Sequence, residues 1–533
     1  MTANRKTRIL YLLMFFLPAF MFLVWAVIMR LGGAKIRLVP SVSDEMFWYH
    51  QIGGMVRSHY PLGYYGYNGH HAVLGTFGPW GVVILLPYAL FGRIFGWHLY
   101  SMCIANLAFL GIALVLFCMM SEPDRKGLLW TAVGYCLLLI NVRYSIANMS
   151  EPLRWSLAII LSGGMVRIWR QRCGKIFTWV VMPLLLIYST ESYLLLGVFV
   201  PVFLLSVLPV SNFVGRGILS VVISAPVLYG LNRILRLFTS GYSKYANISR
   251  IEGIRRDTDL VISHLNPVSL WRMWSGSHSY IPLYLLLFDV LAVSLIIKTA
   301  AGLKRQFGKK TSAMTANTGE NDIRLSGGAG WDRNEDLMRC MGLTILLLGM
   351  IGGYCVFYEG PSTWTIVRGF HTFVVCAVLI LAPHTSRRVI AAAVVLTLAT
   401  CPSFGRGYAV TLNRRYLSEK QLALMEKTKP EFDEIFDISK DHTPWENTIA
   451  HYGSRSSGTP TALTLALPDN AGYNVMFHED QICEAKYAVV YNSFGSKEKY
   501  AAVIGFLKEN GYRKAWSYKK KMAVLVRDDD RNS

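Results

Sequence analysis

Long apolar runs separated by short polar turns fill the chain from about residue 9 to residue 403. A helix that crosses a bilayer needs about 17–25 mostly apolar residues. Eleven stretches are candidates for such helices: 9–29, 98–119, 128–146, 152–169, 176–189, 192–209, 217–237, 281–300, 340–358, 366–382 and 388–403. A twelfth stretch, 80–96, is short and contains Pro87 and Arg93, which favours a re-entrant or interfacial helix, with a further span as the alternative. The pattern predicts an α-helical polytopic membrane protein with about 11–13 transmembrane helices.

The pattern changes after about residue 410, where the long apolar runs stop. Segments there have helical periodicity (418–438 and 497–510) or are typical of strands (462–468, 487–491 and 522–527). We therefore predict two domains: a transmembrane domain over 1–409 and a small soluble α/β domain over 410–533.

The charge distribution predicts the topology. Only 16% of the residues are charged and 53% are hydrophobic, whereas soluble proteins average about 25% charged residues. The net charge is +21, and Lys and Arg concentrate in short turns, a pattern of cytoplasmic loops and not of a nucleic-acid surface. It predicts a multi-pass protein of the cell membrane with a cytoplasmic N-terminus, outer loops at 30–79 and 239–280, a flexible cytoplasmic linker at 302–338 and an extracytoplasmic C-terminal domain.

The nine cysteines show no paired spacing, so neither a disulfide framework nor a zinc site is predicted.

Two adjacent acids, Asp44 and Glu45, open the first outer loop shortly after the first apolar run. Acids at a membrane surface are costly and are often functional. They are candidate catalytic carboxylates for a substrate presented at the bilayer interface. The alternative is a solvated loop start, or a helix N-terminus with acids in its first turn.

The same loop continues with aromatic residues, histidines and amides among glycines. Tyr67, Asn68, His70 and His71 are typical of a surface that stacks on and hydrogen-bonds a sugar. An aromatic belt at the membrane interface explains the aromatic residues equally well. A metal site at the two histidines lacks a carboxylate at ligand spacing.

Charged and polar residues also interrupt the outer ends of apolar runs. Glu151, Glu191, Glu359, Arg368 and His371 are candidates for binding donor or acceptor, because ionisable residues inside a membrane are usually functional. Arg368 is suited to meeting a phosphate with two parallel hydrogen bonds. The alternative is a set of structural ion pairs, such as Glu151 with Arg154 one helical turn later. The Asp257, Thr258, Asp259 triplet has metal-binding spacing, but it follows Arg255 and Arg256, which favours a solvated charged loop.

Several local motifs resemble the GT-C superfamily of polyprenyl-phosphate-sugar-dependent glycosyltransferases, which includes protein O-mannosyltransferases and lipid A aminoarabinose transferases. The Asp44–Glu45 pair resembles the acidic motif of that family's first outer loop, and the stretch 78–97 resembles its proline-containing helix that ends in Phe-Gly. Glu151 resembles an acidic position that opens a later span, 187–195 resembles a break between two short helices, and Arg368 resembles an arginine that contacts the lipid phosphate. The proline motif lacks its usual lysine, and Glu191 stands where relatives often have a basic residue.

The resemblance implies transfer of a hexosyl or pentosyl group at the outer face. The implied partners are a polyprenyl-phosphate-linked sugar, an envelope glycan, lipid or protein acceptor, and membrane lipids, with no nucleic acid. No cofactor is predicted, and no second Asp supports a divalent metal. A membrane transporter or lipid flippase of the cell envelope is the alternative, and a non-catalytic assembly or sensor protein is a third reading.

Overall fold

The computed structural model describes most of the chain, in segments that begin and end as follows: 5–40, 43–58, 64–66, 73–74, 82–210, 212–235, 251–277, 280–315, 329–357, 363–437, 448–452, 459–469, 472–475, 485–492 and 497–528. The side chains of some residues inside these segments, Asp44 among them, lie outside the description. The described chain is a helical bundle that carries a mixed sheet.

The helices follow the apolar runs. The first half contains α1 (Arg5–Leu31), α2 (Ser43–Ser58), α3 (Leu86–Phe95), α4 (Ser101–Ser121), α5 (Arg125–Cys136), α6 (Leu139–Ser145), α7 (Glu151–Trp169), α8 (Met182–Ser192), α9 (Phe199–Val207) and α10 (Phe213–Leu235). A π-helical turn (Phe177–Val181) precedes α8, and a 3-10 turn (Leu194–Val198) precedes α9. The second half contains α11 (Ile251–His264), α12 (Pro267–Ser277), α13 (Tyr280–Thr315), α14 (Ala329–Phe357), α15 (Thr363–Leu381), α16 (Arg387–Arg414), α17 (Glu419–Ile435), α18 (Thr459–Leu465) and α19 (Lys497–Glu509).

Each of the eleven predicted spans overlaps a helix, so the prediction of a polytopic helical membrane protein is confirmed. Among the described residues, seven helices are long and apolar enough to cross a membrane, or eight if α5 and α6, bent by 60°, form one span. Three predicted spans, 152–169, 176–189 and 192–209, correspond to helices α7, α8 and α9, which are not both long and apolar enough. The first carries charged residues but is almost entirely buried in the bundle, and the other two are short. The ten residues of α3 cover about 15 Å, which is half a bilayer.

Two local predictions are wrong. Residues 462–468, predicted as a strand, lie largely in α18, because a short buried apolar run has the same composition in a strand and in a helix. The linker predicted at 302–338 is helical wherever it is described, since α13 extends to Thr315 and α14 begins at Ala329. The second outer loop contains α11 and α12.

A seven-stranded sheet takes strands from two distant parts of the chain. The strands are β1 (Tyr64–Gly66), β2 (Val73–Leu74), β3 (Thr448–Tyr452), β4 (Gly472–Val475), β5 (Tyr487–Tyr491), β6 (Tyr512–Tyr518) and β7 (Met522–Arg527), in the order β2-β1-β4-β3-β5-β7-β6. Strand β1 pairs in parallel with β4, with Tyr65 opposite Tyr473. The first outer loop therefore completes the sheet of the C-terminal region. The domain boundary at 409/410 stays a prediction.

The centre of the bundle is the contact between α4 and α7. A Cβ atom on Gly163 of α7 would lie 2.9 Å from the Cα of Phe117 in α4. No real side chain fits that space, so Gly163 permits the two backbones to approach closely. This contact places the start of α7, where Glu151 lies, beside the other polar residues described next.

Candidate functional site

An ion pair between Glu151 and Arg368 joins α7 to α15. Glu151 is the first residue of α7, and Arg368 lies in the second turn of α15. Nη1 of Arg368 donates to Oε1 of Glu151 across 2.9 Å, and the side chains are 21% and 11% exposed. The alternative pair of Glu151 with Arg154 is therefore not the one that the structure contains.

Arg154 holds the backbone of Arg368. Its Nη2 donates to the Arg368 carbonyl oxygen across 2.7 Å. Its guanidinium also lies over the ring of Tyr193, 4.2 Å from the centroid, a distance suited to a cation–π interaction. Tyr193 separates α8 from the 3-10 turn that follows, so the predicted helix break contacts the Glu151–Arg368 pair through Arg154.

His371 lies fully buried three residues after Arg368. Its Nε2 is 2.8 Å from Oδ1 of Asn141 in α6, and its Nδ1 is 2.6 Å from the hydroxyl of Tyr284 in α13. The ring of Trp155 packs edge-on against the His371 ring, with 4.4 Å between the two ring centroids. Both ring nitrogens are engaged inside the bundle, which supports a packing role for His371. Its predicted contact with donor or acceptor stays a prediction.

A second ion pair joins α2 to the residue that ends α16. Nη2 of Arg415 donates to Oε1 of Glu45, and the two side chains are 9% and 0% exposed. Arg143 of α6 packs against the same helix α16, with its Nη1 3.6 Å from the position of a Cβ on Gly407. Glu45, predicted as a catalytic residue, is therefore held by a cation inside the protein.

Tyr144 and its chain neighbour Arg143 lie within electrostatic reach of the two ion pairs. Tyr144 is buried and lies close enough to Arg143, Glu151 and Arg368 for their charges to act on it. Arg143 in turn lies within electrostatic reach of Arg415. The two pairs therefore border one polar region, formed by the ends of α2, α6, α7, α15 and α16.

Hydrogen bonds from residues of α3 and α4 hold the loop that precedes α7. The hydroxyl of Tyr88 in α3 donates to Oδ1 of Asn106 in α4 across 2.6 Å. Nδ2 of Asn106 donates to the carbonyl oxygens of Ala147 and Met149, at 2.9 and 3.2 Å. The residue between them, Asn148, is buried beside these contacts.

Several buried polar atoms of this region have no hydrogen-bond partner within the described part of the chain: both amide atoms of Asn148, Oε2 of Glu151, Nε of Arg154 and Nε of Arg415. Buried polar groups in proteins are almost always bonded to protein, water or ligand. Water or a polar ligand can supply the hydrogen bonds that these atoms lack.

The other predicted site residues fall in three groups. Tyr67, Asn68, His70, His71 and Glu359 lie outside the described residues. Asp44 is the second residue of α2, directly before Glu45, and its side chain is not described. Glu191 is half-buried near the end of α8, and no ion pair or hydrogen bond joins its side chain to another described residue. Their roles stay predictions.

Sequence reasoning missed Arg143, Tyr193 and Arg415. Arg143 stands inside an apolar run, which is the same signal that singled out Arg368. Arg415 was not singled out because it follows the last apolar run, where basic residues are common.

Within the described segments, no group of three or more His, Cys, Asp and Glu side chains is arranged to hold a metal ion. Asp257, part of the triplet noted in the sequence, is buried and forms an ion pair with Arg256 across 3.3 Å on α11. The triplet is therefore part of a helix and not a solvated loop.

No family model matches the sequence, and no curated protein is similar to it. Among solved structures, the chain is similar to ArnT from Cupriavidus metallidurans bound to undecaprenyl phosphate, with 12% identity, a TM-score of 0.47 and 99% of each chain covered. It is also similar to the Archaeoglobus fulgidus oligosaccharyltransferase tethered with an acceptor peptide, with 10% identity, a TM-score of 0.46, and 96% of this chain and 74% of that chain covered. A third similar structure is AglB from the same organism in complex with an inhibitory peptide and a dolichol-phosphate, with 11% identity, a TM-score of 0.44, and 99% and 75% covered. They belong to the superfamily that the sequence motifs resemble.

Proposed function

We propose that this protein is a GT-C-like membrane glycosyltransferase that moves a sugar from a polyprenyl-phosphate donor to a cell-envelope acceptor at the outer face. The sugar is a hexosyl or pentosyl group. The acceptor is an envelope glycan, lipid or protein.

The observation that carries the proposal is a surplus of arginine around the two ion pairs. Arg143, Arg154, Arg368 and Arg415 supply four positive charges, and Glu45 and Glu151 supply two negative charges among the described side chains. The described side chains therefore have a formal charge of +2, and an ionised Asp44 next to Glu45 leaves a surplus of +1 before any substrate binds. Such a region, at the end of apolar helices, suits a phosphate attached to a lipid.

The surplus also suits the chemistry of the leaving group. A polyprenyl-phosphate sugar is a phosphodiester with one negative charge, whereas the released phosphate monoester carries about −1.5 to −2 at neutral pH. Negative charge therefore grows on the phosphate as the glycosidic bond breaks. Preorganised cations that interact more strongly with the developing charge lower the barrier. No general acid is needed for such a leaving group.

The acceptor hydroxyl requires a base. We assign this role to Asp44, which stands at the start of α2 beside the buried Glu45. Glu45 is engaged by Arg415, so we assign it to holding α2 and not to proton transfer. Arg368, kept in place by Glu151 and Arg154, is assigned to the donor phosphate.

A lipid flippase or transporter is the second candidate, because the structure contains broken helices. Helices α5 and α6 meet at 60°, and α8 is separated from the next turn at Tyr193. Interrupted helices form the substrate sites of many transporters. Arg143 and Tyr193 place both breaks next to the arginine-rich region around the two ion pairs. A glycosyltransferase that binds a lipid phosphate there would account for this placement as well as a flippase would.

Purified protein in detergent separates the two candidates. It receives a radiolabelled undecaprenyl-phosphate sugar and an envelope extract as acceptor, without a membrane or a gradient. A transferase releases undecaprenyl phosphate and labels the extract. A flippase leaves the donor intact in detergent but moves a fluorescent polyprenyl phosphate across the bilayer of reconstituted vesicles, and that result would replace the proposal.

A further inference from the structure

Helix α2 is packed between the membrane helices and the C-terminal region. On one side, Trp48, Ile52 and Met55 are buried in the core of the helical bundle. On another side, Met46 packs in a separate apolar cluster with Val39, Leu417, Ala462 and Leu465. Asp44 is thus carried by a helix whose position depends on both parts of the protein.

His50 of α2 makes a polar contact between these parts. Its ring is fully buried, with Nδ1 2.7 Å from Oδ1 of Asp469 and Nε2 3.0 Å from the carbonyl oxygen of Thr464 in α18. An oxygen acceptor therefore lies at each ring nitrogen. The Asp469 side chain is 17% exposed, so water competes weakly for this contact.

Two glycines bring Asp469 onto the surface of α2. A Cβ on Gly53 would lie 2.7 Å from Cγ of Asp469, and a Cβ on Gly54 would lie 2.6 Å from the Asp469 carbonyl oxygen. Any side chain at residue 54 would push the backbone of the C-terminal region away. The neighbouring phenol of Tyr49 has a pKa held above its usual value by burial and by the Asp469 carboxylate, which is a further sign of close packing.

We propose that His50 and Asp469 are a positioning pair through which the C-terminal region sets the placement of α2, and with it Asp44. This inference rests on the proposed function, because it takes Asp44 as the base. His50 is six residues after Asp44, which is about 9 Å along a helix. A small rotation of α2 at His50 therefore moves the carboxylate relative to the acceptor.

The expected signature is a loss of turnover without a loss of donor binding. The donor phosphate is assigned to Arg368 on α15, which the His50–Asp469 contact does not touch. A displacement of about 1 Å in a catalytic group can lower the rate about a hundredfold. We expect kcat to fall about 10-fold to 100-fold in Asp469→Asn and Gly54→Ala, with the KM for donor changed less than twofold.

The variants are chosen to separate position from folding. His50→Asn retains an amide near the Nδ1 position and His50→Gln retains one near the Nε2 position, so each keeps one contact; we expect both to retain more turnover than His50→Ala. Glu434→Gln, an exposed acid on α17, is the matched control for Asp469→Asn. Gly505→Ala, where a Cβ meets nothing within 4 Å in α19, is the control for Gly54→Ala.

Hydrogen–deuterium exchange of peptides covering 43–58, together with the melting temperature, gives a readout that does not depend on transfer. The proposal is supported if exchange in α2 rises and kcat falls while the melting temperature stays within about 2 °C of wild type. It is overturned if Asp469→Asn and Gly54→Ala keep wild-type kcat, or if turnover is lost only in proportion to unfolding. If wild-type protein shows no transfer at all, the proposed function fails first, and a rise in α2 exchange then shows a mechanical link without a catalytic one.

Discussion

Arg415 reaches Glu45 inside the protein although 370 residues separate them. The pair joins α2, the helix that follows the first apolar helix α1, to the C-terminal end of α16, the last long apolar helix. Taking two charges out of water is expensive, and the pair recovers that cost only while both partners remain.

The first prediction concerns this pair. Removing either partner leaves a buried, uncompensated charge, which destabilises a protein by about 3–5 kcal/mol. We expect Glu45→Gln and Arg415→Met each to lower the melting temperature of the purified protein clearly. The double variant should be less destabilised than the sum of the two, as thermal unfolding in detergent measures. Single variants that unfold at the wild-type temperature would contradict a buried pair.

The second prediction is that Arg368 binds the donor phosphate. Arg368→Lys keeps the charge but loses the planar guanidinium that makes two parallel hydrogen bonds. We expect the KM for donor to rise about tenfold, equivalent to roughly 1.4 kcal/mol of binding, while the melting temperature is little changed. Arg233→Lys, on an exposed arginine of α10, serves as the control. Unchanged donor affinity in Arg368→Lys would remove this residue from the site.

The sequence predicted the helices well because a long apolar run in a membrane must satisfy its own backbone hydrogen bonds, and a helix does so. Every predicted span from 9–29 to 388–403 overlaps a helix. The sheet was harder. Strands β1 and β2 have three and two residues, too few for a periodic signal, and β4, which pairs with β1, lies about four hundred residues away.

The ionisable residues show the same limit. Composition singled out Glu151 and Arg368 because each interrupts an apolar run, yet the local spacing favoured Arg154 as the partner of Glu151. The structure pairs Glu151 with Arg368, which is 217 residues away. Spacing along one helix carries no information about a neighbouring helix. For the same reason, the sequence could not predict Arg415 as the partner of Glu45.

The third prediction concerns topology. The proposed reaction requires the C-terminal region and α2 to lie on the outer side of the membrane. In a cysteine-free background, Lys508→Cys on the exposed face of α19 should react with a membrane-impermeant maleimide on intact cells. Lys126→Cys, at an exposed position in the first turn of α5, should react only after lysis. Cys483, which lies outside the described residues, should behave as Lys508→Cys does if it is accessible. Labelling of the 508 position only after lysis would reverse the orientation.

The last prediction is that Asp44 is the catalytic base. A sugar hydroxyl is a poor nucleophile at neutral pH, and a positioned carboxylate that takes its proton contributes about a hundredfold to ten-thousandfold in rate. Asp44→Asn removes basicity and preserves size, so this variant should insert, fold and bind donor normally while losing nearly all transfer.

The neighbouring acid supplies the comparison. Glu45 is already paired with Arg415, so Glu45→Gln should lose stability more than chemistry. At a temperature where both variants are folded, its kcat should exceed that of Asp44→Asn by at least about tenfold, because a misplaced base retains part of its effect and an absent base retains none. Transfer and donor binding measured on the same preparations decide the matter: near wild-type turnover by Asp44→Asn would move the base to another residue, and equal losses in both variants would mean that the two acids act as one structural unit.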